Sequence, residues 1–221
     1  MGPNYDALSE LGYRQARALG DHWAASGAAF DQIFAGPLQR HVQTAQCITA
    51  AYSDAGRALP PVQSLALLDE HHGVQVVAHV LGNAQHSLGA RDAAPGLARA
   101  DQEQLRREYF GQFREILLRW AGGELEIPGV ESFASFRARA SRVLARLATA
   151  GPGRVLAVSS GGLTAMMVGD LLGLGDEHVI DLNLIVRNCA TTEFLASADR
   201  RRLLSFNALA PAVGAIGETF V

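Results

Sequence analysis

Apolar positions along the chain switch between two periods, and the switches outline the elements. Leu11, Ala16, Leu19 and Trp23 lie near helical spacing behind Ser9, a residue type that caps helix starts, and Gly27 closes the segment, predicting a helix to Ser26. Phe30 to Ala35 reads as a short strand, and Leu38 to Ala55 as a second helix. Pro60-Pro61 break the chain before an extended stretch from Val62 to Leu68, which runs into Asp69-Glu70. Val74 to Leu81 is predicted helical. Residues 82–101 carry Gly, Ala, Pro and Asp without period and read as a loop or cap insertion. Gln102 to Trp120 is a strong helix, with Leu105, Tyr109, Phe113, Ile116 and Leu117 on one side. Gly122-Gly123 and Pro128-Gly129 flank a turn, and Ser132 to Leu147 forms a further helix.

Val155 to Val158 is the clearest buried strand. It runs into Ser159-Ser160-Gly161-Gly162 and a helix from Leu163 to Leu172. Thr191 to Leu195 and Leu203 to Phe206 read as two strands joined at Ala198-Asp199, a pairing that would make the sheet mixed. Strands alternating with helices predict an α/β protein, a three-layer α/β/α sandwich on a mostly parallel sheet.

Composition narrows the class. At 221 residues the chain suits a single domain, 1–221, with room for a cap or insertion around 74–125. The formal net charge of −3 gives no reason to expect nucleic acid or a membrane surface as partner. All 19 basic residues are Arg, which reads as codon bias. Cys47 and Cys189 match no metal or redox spacing and are expected to be small buried hydrophobes. With no apolar leader and no run approaching a membrane span, a soluble cytoplasmic protein is the default expectation.

Three segments carry candidate chemistry. In the first, Ile33-Phe34-Ala35 stops at Gly36-Pro37, and a helix begins with Arg40 in its first turn. The open N–H groups and dipole of a helix start favour an anion, and a guanidinium there matches phosphate oxygens. Arg40 as a plain helix-capping residue is the competing reading. In the second, Ser160-Gly161-Gly162 follows a strand and opens a helix, where ligands bind in open α/β sheets and glycines admit an anion to the backbone N–H groups. A polar strand-to-helix cap is the alternative. A serine nucleophile is not expected, because Val158 stands where a nucleophile elbow needs glycine. In the third, Glu70, with Asp69 beside it, is a candidate proton donor, unless both are simply solvated acids. His71 and His72 could line the same pocket, but their spacing does not suit a metal pair. His41 is expected on the surface, since adjacent residues of a helix point different ways. His22, His79, His86 and His178 have no acidic or cysteine cluster in sequence and are expected to be structural.

Asp6-Ala-Leu-Ser-Glu-Leu-Gly-Tyr-Arg-Gln-Ala16 resembles the D-x-L-[ST]-x-x-G-x-x-Q-A segment of the histidine phosphatase superfamily, the phosphoglycerate-mutase-like fold. Gly36-Pro37-Leu38-Gln39-Arg40 with Gln43-Thr44-Ala45 resembles that family's S-P-L-x-R-x-x-Q-T-A. Glu131-Ser132-Phe133 with Phe136 and Arg139, and Asn188 ahead of a late strand, are weaker likenesses, and together they span residues 4–207. The resemblance implies a metal-independent, cofactor-free phosphatase or mutase acting on a small phosphorylated substrate through a phosphohistidine. It casts Arg40 as phosphate ligand, Ser160 and the N–H groups near Gly161 as its helpers, and Glu70 as general acid. Two departures follow. The family's Arg-His-Gly, whose His is the nucleophile and which ends a first strand, does not occur in this sequence. Ser160 stands where the family usually has a second His, as in a Ser-Gly-Gly subset. These departures predict an impaired enzyme or a non-catalytic phosphoester-binding protein.

Overall fold

The computed structural model describes residues 6–81, 99–197 and 199–220. Of the loop or insertion expected at 82–101, residues 82–98, His86 among them, lie outside the described residues and 99–101 belong to a helix; Ala198 and the side chains of Leu105 and Tyr109 also lie outside.

Helix α1 spans Glu10–Ser26, with Ser9 Oγ accepting from Gly12 N at 3.1 Å and Gly27 in the left-handed conformation at its end. Strand β1 (Gln32–Ala35), helix α2 (Gln39–Asp54) and strand β2 (Val62–Ser64) follow. The extended stretch expected to Leu68 instead tightens into a 3-10 turn at Ala66–Leu68. Helices α3 (Gly73–Leu81), α4 (Arg99–Ala121) and α5 (Phe133–Ala148) come next, the last capped by Ser132. Strand β3 (Val155–Val158) leads into α6 (Gly161–Leu172), which starts two residues earlier than its apolar pattern, with Ser160 as N-cap. Helix α7 (Asp176–Leu184) lies where the sequence pattern predicts no element. Strands β4 (Thr191–Ala196) and β5 (Arg201–Ala208) and the short helix α8 (Pro211–Gly214) close the chain.

The expected single mixed sheet is not what forms among the described residues. A parallel three-stranded sheet has the order β2-β1-β3, and β4-β5 is a separate antiparallel hairpin. No described strand joins the two, so the hairpin pairs only with itself. Among the described residues strand β3 is correspondingly an edge strand. Only Val158 of its four residues is buried, whereas central β1 buries Ile33, Phe34 and Ala35. Its apolar run reads like a strand flanked on both sides.

The main core runs from Phe34 and Leu68 through Ile116, Leu117 and Trp120 of α4 and Phe133 and Phe136 of α5 to Leu163 and Met166 of α6. A smaller core between α1 and α2 holds Leu19, Ile48 and Tyr52. Gly20 permits this contact, because a Cβ there would lie 2.7 Å from Ala51 Cβ. Cys47 and Cys189 are partly buried free thiols. Burial raises both, Cys189 to about 12, so they act as small apolar groups. Among the described residues no helix is long and apolar enough to cross a membrane.

Candidate active site

The parallel register places Ala35 beside both Ser64 and Val158, so the carboxyl ends of β1, β2 and β3 lie together. Gly36 N donates to Val158 O at 3.0 Å, Leu65 N to Ala35 O at 2.9 Å, and Ser159 Oγ to Leu68 O at 2.7 Å. These bonds draw together three loops, 36–41, 65–72 and 159–162. Every candidate residue sits on one of them, where side chains beyond strand ends can meet without breaking a ladder.

Arg40 and Ser160 are in contact, with an Arg40 NH2 proton donated to Ser160 Oγ at 3.2 Å. Asp6 sets the other side of the guanidinium, accepting from Arg40 NH1 at 3.3 Å. It also ties down the start of α2, since Asp6 Oδ2 accepts from Gln39 N at 3.1 Å and Asp6 O from Arg40 N at 2.7 Å. Gln43 Oε1 accepts from Leu8 N at 2.7 Å, so two residues of the motif-like segments serve to fasten the chain at 6–8 onto α2. Gln15 does the same for the end of the chain, donating to Gly217 O at 2.7 Å and Thr219 Oγ1 at 3.1 Å. Asn188 also binds that segment, donating to Thr219 Oγ1 at 2.9 Å.

His41 is not a surface residue. It is 2% exposed, and its Nε2 lies 2.6 Å from Ser160 Oγ. The reason is Gly36: a Cβ built there would lie 2.2 Å from His41 Nδ1, so only glycine leaves space for the ring. Neighbours on α2 do diverge, but here both directions lead inward and meet on Ser160. An imidazole thus returns to a site whose strand-end loop carries Ser160.

Glu70 lies near the same loop, engaged with the backbone at the start of α6. Its Oε2 accepts from Gly162 N at 3.2 Å and its Oε1 from His71 N at 2.8 Å. One N–H expected to hold phosphate is therefore taken by a carboxylate, because both anions want the same helix end. Asp69 Oδ1 turns back to Glu70 N at 2.8 Å. His71 packs between Trp120 and Phe136, with ring centroids 5.7 and 5.3 Å away. Its Nδ1 accepts from Gly73 N at 2.7 Å, which puts the ring proton on Nε2; Asn183 Nδ2, 3.3 Å away, is itself a donor, so the acceptor facing that proton is Glu70 Oε1 at 3.7 Å.

Arg139 holds this loop from behind. It donates to Leu67 O at 3.1 Å, Asp69 O at 2.6 Å and Glu70 O at 3.2 Å, and pairs with Glu131 at 2.8 Å. In the sequence Arg139 appears only as the last position of the weaker likeness that begins at Glu131, with no role attached, and Asn183 lies on the unpredicted α7. Among the described residues no group of three or more His, Cys, Asp or Glu side chains could hold a metal ion.

Burial, reinforced by the charge of Arg40, lowers the His41 pKa to about 4, against the weaker pull of Glu70, Asp69 and Asp6. Burial lowers His71 as well. In the unfolded chain each titrates near 6.5. As pH falls through that value the unfolded state takes up protons and the native state does not, so stability is lost on acidification. For His41 the loss runs from pH 6.5 down to about 4 and totals about 3 kcal/mol. Urea unfolding at pH 7 and pH 4.5 is expected to show it, with a shallower dependence in His41→Gln.

The model of the histidine phosphatase superfamily, branch 1, matches residues 3–81 and 96–209. No match is found among curated protein sequences. Several solved structures share the fold. The mycobacterial glucosyl-3-phosphoglycerate phosphatase in complex with inorganic phosphate is 24% identical, with 96% of this chain and 92% of that one covered at a TM-score of 0.57. Phosphoglycerate mutase from Bacillus anthracis is 17% identical, covering 95% and 85% at 0.59. A mutant phosphoserine phosphatase from Entamoeba histolytica, bound to phosphoserine, is 20% identical, covering 92% and 85% at 0.58. Matched over most of its length by the family model, the chain belongs to the histidine phosphatase superfamily, branch 1.

Proposed function

We propose that this chain binds a small phosphomonoester at the loops where Arg40 meets Ser160, and that the family's hydrolysis through a phosphohistidine is impaired in it. The contact between Arg40 and Ser160 carries the reading, because it joins a guanidinium and a hydroxyl from two different strand ends at the start of α6. Arg40 serves as the phosphate ligand, since a fixed guanidinium offers paired N–H groups to tetrahedral oxyanions. Ser160 and the N–H groups at the start of α6 complete the cradle. Glu70, now resting on Gly162 N, vacates that N–H when phosphate arrives and becomes the proton donor to the leaving oxygen. Arg and backbone donors neutralise phosphate charge without a metal. The relatives solved with phosphoserine and with inorganic phosphate support a small phosphorylated ligand.

One observation favours a binding role over turnover. The imidazoles of His41, which is buried, and of His71, largely enclosed, are both engaged, His41 by Ser160 and His71 by Gly73. Calorimetric titration with inorganic phosphate tests the site. Arg40→Ala is expected to weaken binding by roughly 1.5–3 kcal/mol, the worth of hydrogen bonds to a charged group. Equal affinity in wild type and variant removes Arg40 from the site.

A further inference from the structure

We infer that His41 is a positioning residue that turns Ser160 into a dedicated phosphate donor. Its Nε2–H and an Arg40 N–H occupy both lone pairs of Ser160 Oγ, so the hydroxyl hydrogen is left to point at a phosphate oxygen. The inference rests on the phosphate reading above and explains how a serine can stand where the chemistry calls for a charged donor.

The geometry supplies each step. Ser160 Oγ has two partners, Arg40 NH2 at 3.2 Å and His41 Nε2 at 2.6 Å. A hydroxyl has one donor and two acceptor positions. Arginine can only donate, so one lone pair is filled. What remains depends on which ring nitrogen of His41 carries the proton. Nδ1 is buried against Gly36 with no hydrogen-bond partner. A proton there would be an orphaned buried donor, rarer and costlier than an unpaired acceptor. The proton therefore sits on Nε2 and is donated to Ser160. Protonation of the ring leaves this unchanged, since imidazolium also donates from Nε2. With both lone pairs filled, the Ser160 O–H turns away from Arg40 and His41. The same assignment disfavours Ser160 as a nucleophile with His41 as base, which needs the lone pair on Nε2 and a third group to orient Nδ1.

Two measurements test this. The first is the imidazole 15N spectrum of the free protein, expected to show the His41 proton on Nε2. A proton on Nδ1 overturns the inference and makes His41 a base toward Ser160. The second is inorganic phosphate titration of wild type, His41→Ala, Ser160→Ala, the double variant and His41→Gln, each checked for folding by thermal melting. Each Ala substitution is expected to weaken binding about three- to tenfold, the range for one hydrogen bond. The double variant is expected to match Ser160→Ala, because His41 acts only through Ser160. Gln carries an amide N–H at comparable reach and is expected to restore most of the loss. Additive losses in the double variant, or His41→Gln as weak as His41→Ala, overturn the positioning role. Binding that Arg40→Ala abolishes but His41→Ala leaves intact overturns this inference alone. No phosphate binding by wild type overturns the phosphate reading and this inference with it.

Discussion

Arg139→Ala is expected to lower the unfolding free energy by about 3–5 kcal/mol, the cost of breaking a buried ion pair by removing one partner. Arg139 is 9% exposed and pairs with Glu131 through both nitrogens on that side. It also caps three carbonyls of the 67–70 loop and stacks over Phe136, with its guanidinium carbon 4.8 Å from the ring centroid. Truncation leaves those carbonyls and Glu131 without their donor in a place water reaches poorly. It also frees the backbone that carries Glu70, so the damage extends to the site. Glu131→Gln keeps the packing and one acceptor, and is expected to cost less. Urea unfolding of the three proteins at pH 7 measures the difference. A loss under about 1 kcal/mol, the scale of an exposed ion pair, would show that Arg139 does not brace the loop.

The positions of Arg40 and Ser160 were legible because local signals mark them. A strand, a Gly-Pro turn and a helix start locate Arg40, and a strand running into Ser-Gly-Gly locates Ser160. Parallel pairing then brings strand ends together without any further instruction. His41 was not legible. The helical-neighbour rule gives its direction relative to Arg40 but not what lies there, and the space depends on Gly36 being five residues away in sequence and adjacent in the fold. Arg139 was marked as part of the likeness that begins at Glu131, but its bracing role was hidden for a related reason: three of its partners are backbone carbonyls, which leave no trace in a residue pattern. Helix α7 was missed because it is short and its buried residues, Val179, Ile180 and Asn183, span a single turn, too little to establish a period. Strand β3 misled in the opposite direction. An apolar run reports the tendency to be covered, not whether a second strand is there to cover it.

The 221-residue chain is expected to turn over p-nitrophenyl phosphate at background rate. The family's chemistry passes through a histidine, and removing a nucleophile from a covalent mechanism costs on the order of 10^4–10^6 in rate. His41 is 2% exposed and spends Nε2 on Ser160, with Nδ1 shut against Gly36. His71 accepts Gly73 N–H on Nδ1, and its Nε2 proton faces Glu70 Oε1 at 3.7 Å. Of the remaining described histidines, His22 on α1, His79 on α3 and His178 on α7 lie on helices and not on the strand-end loops, while His72, on the 65–72 loop, has its Nδ1 buried without a partner. On the proposed reading, Arg40 and Ser160 would stabilise charge on a bound phosphoryl group, permitting binding without supplying an acceptor. The two contributions separate experimentally: phosphate affinity reports the cradle, and steady-state turnover with trapping of an acid-labile phosphohistidine reports the nucleophile. Robust turnover by this chain that persists in His41→Ala, His71→Ala and His72→Ala alike would mean that a histidine outside the site loops, or a residue of another type, accepts the phosphoryl group.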